Sequence, residues 1–261
     1  MITFLKLGGS VLTEKSVEKT ARHDTIRRIV SEIADALDQD PSLQLLLGHG
    51  SGSFGHSTAA EYGTHLGARS DRDWKGFAEV WQSARELNSI LLEALRTAHL
   101  PVISFPPSAS ALSDNGRLIW MATEPIDRAL EAGLLPVIYG DVVFDRDIGA
   151  SIASTEEVFA YLTDFIKPGR LLIAGMEEGV FDLVRSRPRL LPEITPANRG
   201  ELQFAAPEGK DVTGGMASKV DLCLRIASAN PDLEILIFSA EPPGQLQEVL
   251  SGGYAGTRIR G

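Results

Sequence analysis

The 261-residue sequence predicts a three-layer αβα sandwich, an α/β fold with a mostly parallel central sheet and helices on both faces. Three observations carry that expectation. Strand-length apolar runs alternate with segments of helical period, glycine-rich loops stand where strands end or helices begin, and the length suits a single large core. Ile2–Leu7 reads as the first strand. Ile26, Ile29, Val30, Ile33 and Leu37 then fall on one face of a helix. Leu43–Leu47 is a second strand, and Phe77, Val80, Trp81, Ala84, Leu87, Leu91 and Leu95 mark a long amphipathic helix starting near Asp73. Pro101–Phe105 reads as a strand, Glu124–Ala132 as a helix stopped by Gly133, and Leu135–Tyr139 as another strand. Between these, Leu112–Met121 and Asp141–Ser154 carry turn residues flanked by short apolar runs and read as hairpins. A helix over Thr155–Phe165 and a strand at Arg170–Ala174 follow. Val180–Pro207 gives mixed signals with several prolines. Met216, Val220, Cys223, Leu224 and Ala227 restore a helical face, followed by a strand at Leu233–Phe238, a short helix at Gly244–Leu250 and a last strand at Gly256–Ile259.

Composition narrows the function classes. Hydrophobic content of 43% and charged content of 23% suit a globular protein. The formal net charge of −10 and the lack of any Lys/Arg-rich run argue against a nucleic-acid partner. An anionic ligand must then be met by locally placed Lys, His and backbone N–H groups. The single cysteine, Cys223, forms no internal disulfide, suits a reducing cytoplasm, and sits at an apolar helical position as a buried small hydrophobe. The first fifteen residues lack a basic leader pattern, and no apolar stretch reaches the ~18 residues a membrane span requires.

Three glycine loops stand out: Gly8-Gly9-Ser10 after Lys6 and Leu7, the stretch from Gly48 to Gly55, and Asp211–Met216 with Gly214 and Gly215. Backbone N–H groups at such loops converge on anions, and glycine lets phosphate oxygens come close. One loop alone is commonly a turn. Three loops near Lys6, Lys15 and Lys219 point to phosphate chemistry. Gly50, Gly52 and Gly55 have the G-x-G-x-x-G spacing, but Gly63 and Gly67 interrupt soon afterwards. No acidic residue ends a strand ~20 positions on, as a dinucleotide site would have it. There is also no G-x-x-x-x-G-K-[ST] loop.

Lys6–Ser10, Gly52-Ser53-Phe54-Gly55-His56, Gly140-Asp141, Asp211–Met216 with Lys219, and Gly256-Thr257 occur in this order along the chain. As an ordered set they resemble the amino acid kinase superfamily and, within it, the isopentenyl phosphate kinases. That resemblance implies a single domain over residues 1–261, with an acceptor-substrate lobe at 1–167 and a nucleotide-binding lobe at 168–261. It implies ATP and Mg²⁺ as cofactors, a small phosphate acceptor and a homodimer. Lys6, Lys15 and Lys219 would surround the transferring group, with Asp141 organising them. Gly8, Gly9, Ser10, Gly52, Met176, Gly214 and Gly215 would lie against the nucleotide. His56 would hold the acceptor phosphate with the help of Ser51, Gly52, Ser53 and Thr155, and Phe77, Val80 and Trp81 would wall an isoprenoid tail. No resident protein-bound metal site is expected.

Plainer readings stand beside these. Lys15 shares its loop with Glu14, Glu18 and Lys19 and could be a surface charge; the Phe77 stripe could be core; Asp141 could cap a turn. His49 reads as structural, and His23, His65 and His99 as surface residues. The chain departs from the resembled pattern at Met176, where Asp is usual, at Thr155, where Gly is usual, and at Ser51. Two other functions stay open at this level. One is a kinase for another small phosphate or phosphonate such as fosfomycin; the other is a non-catalytic nucleotide sensor.

Overall fold

A computed structural model describes residues 1–183, 188–204 and 215–261. β1 (Ile2–Leu7) leads through one helical turn, α1 (Gly9–Leu12), and an exposed turn into α2 (His23–Gln39). β2 (Gln44–His49) runs into α3 (Gly52–Tyr62), and α4 (Asp71–Thr97) follows a short 3-10 turn. Then come β3 (Val102–Ser104), α5 (Pro107–Ser110), β4 (Ala111–Asp114), β5 (Arg117–Met121), α6 (Glu124–Glu131) and β6 (Leu135–Tyr139). β7 (Asp141–Asp145), β8 (Gly149–Ala153), α7 (Thr155–Ile166) and β9 (Arg170–Gly175) complete the middle. The last part holds β10 (Phe181–Asp182), β11 (Arg189–Leu190), β12 (Glu193–Ile194), α8 (Pro196–Arg199), α9 (Gly215–Ala229), β13 (Glu234–Ser239), α10 (Gln245–Leu250) and β14 (Thr257–Ile259).

The main sheet has the order β12-β14-β13-β9-β1-β2-β6-β3, parallel except where β14 lies antiparallel to β13. β1 is its middle: β2 pairs on one side and β9 on the other. The two halves of the chain therefore share one continuous sheet. The chain leaves β1 and β2 toward α2 and α4 on one face of the sheet, and β9 toward α9 on the other. A crevice forms at such a reversal of strand order, which is where ligands bind in open α/β sheets.

Alternation along β1 divides the core. Leu5 and Leu7 pack with α2, α4 and α10 through Ile29, Ile33, Leu87, Leu91 and Leu246, whereas Phe4 packs on the α7 and α9 side with Phe159, Leu162 and Cys223. The predicted sandwich is thus the observed one. Cys223 is buried, as its helical position implied.

The hairpins at β4–β5 and β7–β8 are antiparallel as the turn residues indicated, but β4 also joins β7 in parallel to make a separate four-stranded sheet. Asp145 holds the tips together by accepting from the N–H groups of Asn115, Gly116, Asp147 and Ile148. α4 starts two residues before Asp73 because Ser70 caps it and Asp73 closes the reciprocal hydrogen bond. The second glycine loop opens a helix, α3, which ends at Gly63 in the left-handed conformation.

Candidate active site

The first two glycine loops meet backbone to backbone at the carboxyl ends of β1 and β2. A Cβ on Gly9 would lie 2.4 Å from the Gly52 nitrogen, and one on Gly50 would lie 3.0 Å from the Gly9 nitrogen. Only glycine permits that approach. Thr13 stitches the contact: its hydroxyl donates to the Gly9 carbonyl at 2.8 Å and accepts from the Ser53 N–H at 3.0 Å. Gly8 donates to the Ala174 carbonyl at the end of β9, and Gly50 to the Leu7 carbonyl. Among the described residues, the N–H groups of Gly9, Ser10, Ser51 and Gly52 have no protein acceptor. They are the donors left over at the meeting of the two loops.

Lys6 stands beside this cradle and is 6% exposed. Its register partner on β2 is Gly48, so both face α7. A Cβ on Gly48 would come within 2.6 Å of Thr155 and 2.7 Å of Phe159. The glycine therefore lets the start of α7 lie against the sheet. That start carries Glu156, which ion-pairs with the Lys6 ammonium. Ser154 fixes it by capping α7, with Glu157 returning the bond. Burial pushes the Glu156 carboxyl up, but the Lys6 charge and then the Lys219 charge outweigh it and hold the carboxyl below its usual range. Lys219, in the second turn of α9, acts on the same carboxylate through its charge, and Cys223, one turn further, lines the apolar floor with Lys6 and Glu156. The sequence reading did not assign Glu156 a role; its position after the Ser154 cap of a helix facing Lys6 was the available signal.

The remaining predicted residues take varied places. Asp141 is buried, and its oxygens accept from the N–H groups of Ser108 and Val142 at 3.1 and 2.9 Å. The carboxylate against Lys6 is that of Glu156, not Asp141. Burial, partly offset by those hydrogen bonds, pushes the Asp141 carboxyl up to about 6. Lys15 is exposed in the turn between Thr13 and Ala21 and makes no ion pair among the described residues. The Ser53 hydroxyl is buried without a partner among the described residues. Thr155 is buried, and its hydroxyl donates to the His49 carbonyl at 2.6 Å. Met176 follows β9, with its sulfur 3.3 Å from the Arg22 guanidinium, which pairs with Glu241 at 2.8 Å. Gly214, together with Asp211 and Thr213, lies outside the described residues. Gly215 opens α9 at φ +69°.

His56 lies one turn before Ala59 on α3, so the two share a helix face. Ala59 packs with Val80 and Val142, and Phe77, Trp81 and Ile152 join them. Phe77 also meets Phe144 at 5.0 Å and Trp74 at 5.8 Å between ring centroids. The apolar wall is thus wider than the sequence stripe: Val142, Phe144 and Ile152 reach it from the four-stranded sheet, which helical periodicity could not reveal.

A backbone cradle with free donors, two lysines on a shared buried glutamate and an apolar wall define an anion-binding α/β protein built to receive a polyanion beside an apolar group. Residues 1–239 match the amino acid kinase family, and the chain belongs to that family. An isopentenyl phosphate kinase of Methanothermobacter thermautotrophicus is 35% identical over 268 residues, covering 98% of this chain and 98% of the relative. One of Methanocaldococcus jannaschii is 31% identical, covering 99% and 98%. A solved structure described as isopentenyl phosphate kinase superposes with a TM-score of 0.85 at 32% identity, over 99% of this chain and 100% of that one.

Proposed function

We propose that this chain transfers the γ-phosphoryl group of ATP to isopentenyl phosphate, giving isopentenyl diphosphate and ADP. The observation that carries the reading is the pair of touching glycine loops, whose four N–H groups without an acceptor among the described residues stand beside Lys6, with an apolar wall beyond α3. An oxygen of the acceptor phosphate attacks the γ-phosphorus, and the bond to the β-phosphate oxygen breaks as ADP leaves. The attacking oxygen is already anionic, so the protein supplies position and positive charge rather than a general base.

In this reading Gly8, Gly9, Ser10, Gly52, Met176, Gly214, Gly215 and Lys219 serve the nucleotide, in a C-terminal lobe of residues 168–261 completed by the first loop. Ser51, Gly52, Ser53, Thr155 and His56 serve the acceptor phosphate in a lobe of residues 1–167. Lys6, Lys15 and Lys219 neutralise the transferring group, Lys15 from its exposed turn, and Glu156 fixes Lys6. Asp141, beside Gly140 whose N–H donates to the His49 carbonyl, helps organise the lysines. Phe77, Val80 and Trp81 hold the tail. Among the described residues no group of three or more His, Cys, Asp or Glu is disposed to hold a metal. Mg²⁺ therefore fits this site as an ion carried by the nucleotide's phosphates, where it would neutralise charge. We further read the protein as a cytoplasmic homodimer serving isoprenoid biosynthesis by an alternative mevalonate route. Among the described residues no helix is long and apolar enough to cross a membrane.

The test is phosphorus NMR of the purified protein with ATP, Mg²⁺ and isopentenyl phosphate, with fosfomycin in a parallel tube. A new diphosphate signal with isopentenyl phosphate alone is expected. Turnover of fosfomycin alone would move the chain to phosphonate kinases, and nucleotide binding without turnover of either would make it a sensor.

A further inference from the structure

His49, at the end of β2, is fully buried and has no place in the reaction described above. It is nevertheless fixed on every side. Its ring stacks on Tyr139 at 5.5 Å, and its carbonyl accepts from Thr155 and Gly140. Nδ1 lies 3.1 Å from the Gly50 carbonyl oxygen, and Nε2 lies 3.2 Å from the side-chain oxygen of the Asn88 amide. That amide in turn reaches the Ser104 hydroxyl at 3.1 Å. A line of polar contacts thus runs from β3 through α4 to the second glycine loop.

Only one arrangement of protons satisfies this line with a neutral ring. A carbonyl oxygen accepts and never donates, so Nδ1 must carry the hydrogen. With the Asn88 amide turned by half from the orientation in which its oxygen faces Nε2 and its NH₂ donates to Ser104, Nε2 accepts from the Asn88 NH₂ and the Ser104 hydroxyl donates to the Asn88 oxygen. The amide makes the same contacts after a half-turn, because a hydroxyl both donates and accepts. The opposite tautomer would set the Nδ1 lone pair against the carbonyl lone pairs. A charged ring would sit buried beside Asn88 and Ser104 with no carboxylate partner, and burial and the Lys6 charge both work against it.

The consequence lies one peptide further on. In a trans peptide the C=O and the following N–H point in opposite directions. No cis bond occurs among the described residues. Turning the Gly50 carbonyl onto His49 therefore turns the Ser51 N–H away from the ring, where no described residue accepts it. We infer that His49, as its Nδ1–H tautomer, is a positioning residue that orients the Gly50–Ser51 peptide so that the Ser51 N–H faces the acceptor phosphate. The inference rests on the phosphate reading of the second loop.

Three variants and one measurement on the native protein test it. His49→Phe keeps the stacked ring and removes both nitrogens. His49→Asn keeps an N–H donor near Nδ1, and His49→Gln keeps one near Nε2. With one charge-assisted hydrogen bond at stake, His49→Phe and His49→Gln should raise KM for isopentenyl phosphate about tenfold or more, with KM for ATP within about twofold; His49→Asn should recover most of the loss. Equal rescue by Gln and Asn, or an unchanged acceptor KM in His49→Phe, overturns the assignment. Long-range proton–nitrogen NMR of the native protein should show a neutral imidazole protonated at Nδ1 from pH 6 to pH 8. An Nε2–H tautomer or a charged ring overturns it too. The NMR measurement needs no substrate, so a failure of the proposed reaction remains distinguishable from a failure of this inference.

Discussion

The two ends of the site are built from different materials. At the phosphate end, backbone packs on backbone: Gly9 against Gly52, Gly8 on β9, and Thr13 joining the loops. At the apolar end, side chains pack on side chains, and Trp74 and Phe144 remain 40% and 49% exposed. Backbone contacts tolerate no added atom, whereas aromatic side chains can re-pack. In the proposed reaction the first end would set the chemistry and the second the choice of acceptor.

The largest effect should come from the lysines. Lys219→Ala is expected to lower turnover by roughly 10³-fold, measured in single-turnover assays, because it removes a cation from the transferring group. Lys6→Ala should do the same and also destabilise the fold by about 3 kcal/mol, since Glu156 is left buried and unpaired by Lys6. The double variant Lys6→Ala/Glu156→Gln should regain much of the stability in urea denaturation and none of the turnover. If turnover returned as well, Lys6 would be structural and the phosphate end would lose its distinctive role.

Next comes the loop contact. Gly9→Ala should cost about 1–3 kcal/mol of stability through overpacking and weaken both substrates. A normal KM for both in Gly9→Ala would show that the loops need not touch. At the apolar end, Phe77→Ala should raise KM for isopentenyl phosphate about tenfold with KM for ATP unchanged. A drop in kcat instead would erase the division between the two ends.

The last effect is one of pH. Burial raises the Asp141 carboxyl to about 6 in the folded protein, against about 3.9 in an unfolded chain. Between these values the folded state holds a proton that the unfolded state has released, so stability should fall as pH rises from about 4 to about 6 and then level off. Asp141→Asn should flatten that part of the stability curve; an unchanged slope would assign it to another group.

Much of this division was legible in advance, but unevenly. The strands, the long helix and the glycine loops announce themselves through apolar period and glycine placement, which are local. The four-stranded sheet was visible only as two hairpins, because the parallel pairing of Leu112 with Phe144 leaves no mark on either segment. Asp141 followed a strand and a glycine and was read with the lysines; its fold neighbours are instead the N–H groups of Ser108 and Val142.

The sequence by itself determined which segments become strands and helices, where the chain can bend around an anion, and which lysines are available. Only the tertiary structure decided that Lys6 meets Glu156, 150 residues away, that Gly9 touches Gly52, and that His49 turns inward onto Gly50. The physical reason is register. A periodic pattern fixes the face on which a side chain lies, but its partner is chosen by the alignment of β1 with β2 and by how closely α7 can approach Gly48, and neither quantity is written in any one segment.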